Sequence, residues 1–148
     1  MTCFERMKHA DSASIVFATV RYGSWGARPK GLILYSDGVL CTYERDRFPE
    51  EDDARETITP VGFAPQMAEE VLNLIHEKEK VISQFPEELF GDALDAGYTE
   101  INFNGKCCYG YALSCCPEGK EICFWENVIL CCIKRYGYYS SLKGVIYG

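Results

Sequence analysis

The chain has 148 residues, a formal charge of −7, and 47% hydrophobic against 25% charged residues. That length fits one domain able to bury roughly 70% of its unfolded surface, so a core can form without staples. No apolar run approaches the ~20 residues of a membrane helix, and the acidic balance argues against affinity for nucleic-acid backbone, which needs clustered Lys and Arg.

The opening MTCFERMKHADS is polar and lacks the apolar stretch of a signal peptide. It is expected to be a mobile N-terminus over 1–12. Nine cysteines are an odd number, which in an exported chain would leave a thiol unpaired. Without an export signal they read as reduced thiols in the cytoplasm, behaving as small hydrophobes.

Segment 14–22, SIVFATVRY, is β-branched and aromatic, as a strand requires. GSWGARPK (23–30) is a Gly-rich loop. GLILYSDGVLCTYE then reads as a hairpin in which Asp37-Gly38 supplies the positive φ angles of a tight turn. These strands make a first antiparallel meander. ERDRFPEEDDARE (44–56) holds seven acids and three bases. It has no apolar periodicity and lacks the ligand alternation and bend Gly of a Ca²⁺ loop, so it reads as a solvated acidic loop.

Residues 65–85 carry the clearest helical pattern, with Pro65 in the first turn and Ala68, Val71, Leu72, Ile75 and Ile82 on one stripe. Pro86 stops it. PEELFGDALDAG (86–97) is expected to add a short helical turn. The stretch YTEINF-NG-KCCYGYALSC-CPEG-KEICFW predicts a second three-stranded meander. Asn104-Gly105 makes a two-residue turn, and Cys116-Pro117-Glu118-Gly119 makes a type I turn with a bulge.

Alternation along the middle strand places Cys107, Tyr109, Tyr111, Leu113 and Cys115 on one face and Cys108, Gly110, Ala112, Ser114 and Cys116 on the other. At ~3.3 Å per residue, Cys107 and Cys115 would lie about 26 Å apart. That is too far for one zinc ion or one disulfide to join them. The core face is then Ile101, Phe103, Cys108 and Ala112. The opposite face carries Glu100 and Asn102 beside Tyr98, Tyr109 and Tyr111, half exposed. After Trp125, ENVILCCIKRYG reads as a second helix, with a buried strand as its rival. YYSSLKGVIYG is expected to add a last strand. The predicted class is α+β: two antiparallel β-meanders, about six or seven strands, packed with one long and one or two shorter helices.

Chemistry is thinly represented. Of the two histidines, His9 lies in the polar N-terminus and His76 on the polar side of the helix. Phosphate-loop, nucleophile-elbow and dinucleotide motifs are all missing. The sequence predicts no catalytic residue, metal or cofactor. The best candidate site is the loop RYGSWGARPK. No acid occurs between Ser12 and Ser36, while Arg21, Arg28 and Lys30 interleave with Tyr22 and Trp25. Planar guanidinium forks beside aromatic faces suit an anionic aromatic ligand or a protein hot spot. Against this stands pairing of the bases with acids 50–56. Tyr98, Tyr109 and Tyr111 form a second candidate interaction face.

Three functional expectations follow. The first is a non-enzymatic binding module, an inhibitor or adaptor acting on a protein partner. The second is a sequestering protein or receptor for an anionic, phosphate-bearing small molecule. The third is a thiol-dependent or zinc-binding protein.

Overall fold

The computed structural model describes residues 14–22, 29–45, 56–89, 97–111 and 113–145. Six strands form one antiparallel sheet: β1 (Ile15–Tyr22), β2 (Lys30–Tyr35), β3 (Val39–Arg45), β4 (Glu56–Phe63), β5 (Tyr98–Phe103) and β6 (Lys106–Tyr111). Their order is β4-β3-β2-β1-β5-β6. The chain is therefore α+β, and its two strand groups join through the β1–β5 pairing into one sheet. The helices are α1 (Pro65–Glu77), α2 (Glu79–Ile82), α3 (Pro117–Arg135) and α4 (Tyr139–Val145).

Turn chemistry sets the hairpins. Gly38 has φ +95° and its N–H donates to the Tyr35 carbonyl at 3.0 Å, while the Val39 N–H donates to Asp37 Oδ1. Only Gly38 of the expected Asp37-Gly38 pair takes positive φ. A Cβ there would also meet the Pro65 backbone at 2.5 Å. Asn104 (φ 47°) and Gly105 (φ 100°) both take the left-handed region, as a two-residue hairpin turn needs.

Packing on one sheet face builds the main core. Phe17, Leu32, Leu34, Leu40, Ile101, Phe103 and Cys108 meet Met67, Ala68, Val71 and Ile75 of α1 and Ile122, Ile129 and Ile133 of α3. Ala64 gives α1 no capping side chain, a shortfall of ~1 kcal/mol. Burial of each large apolar side chain contributes roughly 1.5–3 kcal/mol, so docking outweighs the missing cap. The predicted stripe on α1 is confirmed, with Met67 added and Leu72 only partly buried. Lys78 leaves helical geometry (φ −106°, ψ 19°) and divides the expected single helix into α1 and α2.

Four expectations fail. The third strand of the second meander does not exist. β6 ends at Tyr111, Leu113–Cys115 form a 3-10 turn, and KEICFW belongs to α3, as does the ENVILCCIKR segment. Pro117 sits at the first helical position instead of in a hairpin turn. The last segment is helix α4, not a strand. Residues 44–56 are not wholly loop, because Glu44 and Arg45 end β3 and Glu56 begins β4. Of the segment 86–97 expected to add a helical turn, residues 87–89 are not helical, and 90–96 lie outside the described residues. Residues 87–89 run beside β6, with the Tyr109 N–H donating to the Glu87 carbonyl at 2.8 Å and the Leu89 N–H to the Tyr109 carbonyl at 3.0 Å. The expected mobile N-terminus, the rest of the acidic loop (46–55), His9 and Ala112 lie outside the described residues.

Candidate functional site

The loop candidate is divided by strand parity. Arg21 and Lys30 are direct cross-strand partners where β1 leaves and β2 returns. Arg21 points to the helix side of the sheet, and its partner Lys30 shares that face. Tyr22, one residue on, turns to the opposite face and is only 5% exposed. Trp25 and Arg28 lie outside the described residues.

Arg21 is held by an acid outside the predicted site set. Its Nη2 donates to Glu126 Oε1 of α3 at 2.5 Å, and Thr19 Oγ1 donates to Glu126 Oε2 at 2.6 Å. Glu126 is 2% exposed. The expected pairing of bases with acids 50–56 gives way, for Arg21, to this buried carboxylate. One signal was available, because Glu126 falls on the helical stripe of Ile122, Ile129, Leu130 and Ile133. Lys30 is exposed, with Glu44 as its cross-strand partner on β3.

On the other face the structure unites two separately predicted sets. Register alone defines a lattice over β1, β5 and β6. Its rows are Ala18–Asn102–Cys107, Val20–Glu100–Tyr109 and Tyr22–Tyr98–Tyr111. Ring centroids lie 5.1 Å apart for Tyr22–Tyr98, 5.1 Å for Tyr98–Tyr111 and 6.2 Å for Tyr98–Tyr109. Tyr98 is the hub. Tyr111, at the outer edge, is 50% exposed. The Tyr109 hydroxyl reaches Glu88 Oε2 at 3.4 Å.

The half-exposed setting expected for Glu100 and Asn102 is not observed. Glu100 is 4% exposed and Asn102 is fully buried. The reason is that this face carries a second apolar cluster, with Ala18, Val20, Ile33, Cys41 and Tyr43 at its centre. Asn102 Oδ1 accepts the Gly105 N–H at 2.6 Å and so braces the β5–β6 turn, while its Nδ2 has no hydrogen-bond partner among the described residues. Burial pushes the Tyr98 phenol well above its ordinary range, and the adjacent Glu100 carboxylate, by charge and hydrogen bond, pushes it further.

The described thiols do not converge. Cys107 and Cys108 point to opposite faces, and Cys115 and Cys116 sit beyond the strand in the turn that leads into α3. The eight described cysteines form no disulfide with one another. Among the described residues, no group of three or more His, Cys, Asp or Glu side chains is placed to hold a metal ion. Burial raises the thiols of Cys108, Cys123 and Cys132 to about 11, which keeps them protonated and weakly nucleophilic at neutral pH.

A shallow groove of about 460 Å³ runs along α1, with Glu69, Glu70, Leu74, Glu77 and Tyr136 among its walls. Arg135 Nη2 reaches Glu70 Oε1, one of those wall residues, at 3.4 Å. No described helix is long and apolar enough to cross a membrane. Comparison with known protein families, with curated proteins and with solved structures gives no match.

Proposed function

We propose that the protein is a non-enzymatic binding module that engages a protein partner through the tyrosine lattice at the β1–β5–β6 end of the sheet. The observation that carries this reading is the Tyr22–Tyr98 ring contact. It joins the last residue of β1, and with it the start of the segment bearing Trp25 and Arg28, to Tyr109 and Tyr111. Tyrosine gives large contact area at low entropy cost. A half-exposed Tyr111 at the edge of a buried aromatic set has the form of an interface anchor.

An anionic, phosphate-bearing ligand gains less support. Arg21 faces away from Tyr22 and is neutralised by Glu126, so these two members of the expected aromatic-basic set lie on opposite faces of the sheet. A thiol-dependent or zinc-binding activity gains less still from dispersed, protonated thiols. Free thiols are the state expected in the cytoplasm, where we place the protein's action.

The test is native mass spectrometry of the protein taken from its host, with and without Tyr111→Ala and Trp25→Ala. Loss of the retained partner in both variants, at an unchanged thermal midpoint, is expected. Full retention of the partner in both would overturn the reading.

A further inference from the structure

We infer that the second face of the sheet, at the end where β1 begins, is the seat of the chain's own N-terminal segment, residues 1–13, packed through Phe4 and Met7 against Ile15 and Tyr35. The inference does not rest on the tyrosine lattice as a recognition surface. It decides how much of that face is left for a partner.

The first observation is closure. Ile15 is 6% exposed, Tyr35 is 4% exposed, and Ala18, Ile33 and Asn102 are fully buried. Every described residue in or against this cluster nevertheless belongs to a strand, and the described helices build the core on the opposite face. Side chains stand roughly perpendicular to a sheet, so strand neighbours shield their flanks and leave their tips open. Buried tips require a further stretch of chain above them.

Connectivity selects the stretch. Ile15 and the turns at Gly38 and Gly105 lie at one end of the sheet, while Tyr22, Lys30, Arg45, Glu56 and Tyr98 lie at the other. The internal stretches 23–28, 46–55 and 90–96, outside the described residues, all join the sheet at that other end. The longest, 46–55, has ten residues and, doubled back, spans at most ~17 Å. Tyr35 and Ile15 are about 20 Å away from its attachment along the strands. Residues 1–13 join at the correct end, where the Ser36 N–H donates to the Ser14 carbonyl at 2.8 Å.

The exposure gradient agrees. Closure is deepest on β1 and β2, where the chain enters the sheet. Val39 on β3 is half-buried, and its cross-strand partner Phe63 on β4 is 69% exposed.

The segment has the chemistry for the seat. Cys3, Phe4, Met7 and Ala10 recur at three- and four-residue spacing, with Glu5, Arg6, Lys8 and His9 between them, the pattern of an amphipathic helix. Thirteen residues of helix reach ~20 Å, enough to cross four strands spaced ~4.8 Å apart. The end of the face that carries the half-exposed Tyr111 is then the part left for a partner.

The test is NMR of the full chain with labelled methionine and isoleucine methyl groups. Nuclear Overhauser contacts from the Met7 methyl to the Ile15 methyls and the Tyr35 ring are expected. Phe4→Asp should shift the Ile15 methyls and leave Ile122 and Ile129, on the helix side, in place, and Lys8→Gln should shift none of them. A Met7 methyl without contacts to this face would overturn the inference. Contacts of Ile15 and Tyr35 with Phe48 or Trp25 instead would overturn it in favour of an internal stretch, and contacts seen only between differently labelled copies would overturn it in favour of a second molecule. The parent spectrum decides the matter even where Phe4→Asp fails to fold.

Discussion

Glu126 on α3 reaches across the helix–sheet interface to take hydrogen bonds from both Thr19 and Arg21 of β1, residues more than a hundred positions earlier. Both carboxylate oxygens are satisfied, which is the condition under which a buried charge is tolerated. Arg21 keeps about a third of its side chain in water, so its own desolvation is partial.

Removing the acid alone should therefore be costly. Glu126→Ala leaves the Thr19 hydroxyl and the Arg21 guanidinium without their acceptor, and about 3 kcal/mol of stability is expected to go, the lower end for a broken buried pair. The double variant Arg21→Met with Glu126→Leu, which replaces the pair by apolar volume, should lie within about 1 kcal/mol of the parent. Urea midpoints for the three proteins check both statements, and a double variant as unstable as the single would contradict them.

Gly110 gives a second prediction. A Cβ at this position would sit 1.6 Å from the Leu89 carbonyl oxygen, because residues 87–89 run directly beside β6. Gly110→Ala must push that segment off the edge of the sheet, at a cost of roughly 1–3 kcal/mol, with faster hydrogen exchange at the Tyr109 and Leu89 amides. Gly105 is the control. A Cβ there meets nothing within 4 Å, but its φ is +100°, so Gly105→Ala should cost about 1–2 kcal/mol through backbone strain alone and leave those two amides protected.

Much of the framework was legible in the sequence because local chemistry dictated it. Gly38, Asn104 and Gly105 supply the dihedrals their turns demand, and the 3.6-residue stripe of α1 needed no partner to be read. β4 was missed for the opposite reason. ETITPVGF contains Pro60 and lies at a sheet edge, where one neighbour suffices and the apolar signal fades. The start of α3 was misread because a type I turn and the first turn of a helix share their dihedrals, and Pro117 suits both. The candidate site was half legible. Its tyrosines were picked out in two sets. Their union depends on the β1–β5 pairing, and the removal of Arg21 depends on Glu126, so both are long-range facts with no local signature.

Glu70 and Tyr136 yield a prediction about acid. The hydrogen bond from Tyr136 holds the Glu70 carboxyl below its ordinary value, helped by Cys132 and Arg135 and opposed by burial. A depressed carboxylate stabilises the fold above its unfolded pKa, and that contribution disappears as pH falls through the folded value. Tyr136→Phe should return Glu70 towards the ordinary range, seen as an upward shift in its ¹³C carboxyl titration. An unchanged titration would mean that Tyr136 is not the dominant partner.

The thiols set the behaviour in base. Burial is the leading cause that lifts Cys108, Cys123 and Cys132 to about 11, against an ordinary thiol near ~8.5. The folded state therefore holds these protons more tightly than the unfolded chain. Their contribution is complete below about pH 8.5, declines as unfolded thiols ionise, and is lost once pH passes the folded value near 11. Urea midpoints measured from neutral pH upwards should be level at first and then fall, with a shallower fall in Cys108→Ala. In the folded protein Cys115 and Cys131, both exposed, should react with a thiol reagent at pH 8 long before the buried Cys41, Cys108 and Cys132. A midpoint that stays level through pH 10, or Cys108 labelling as fast as Cys131, would place that thiol in water instead of between the sheet and the helices.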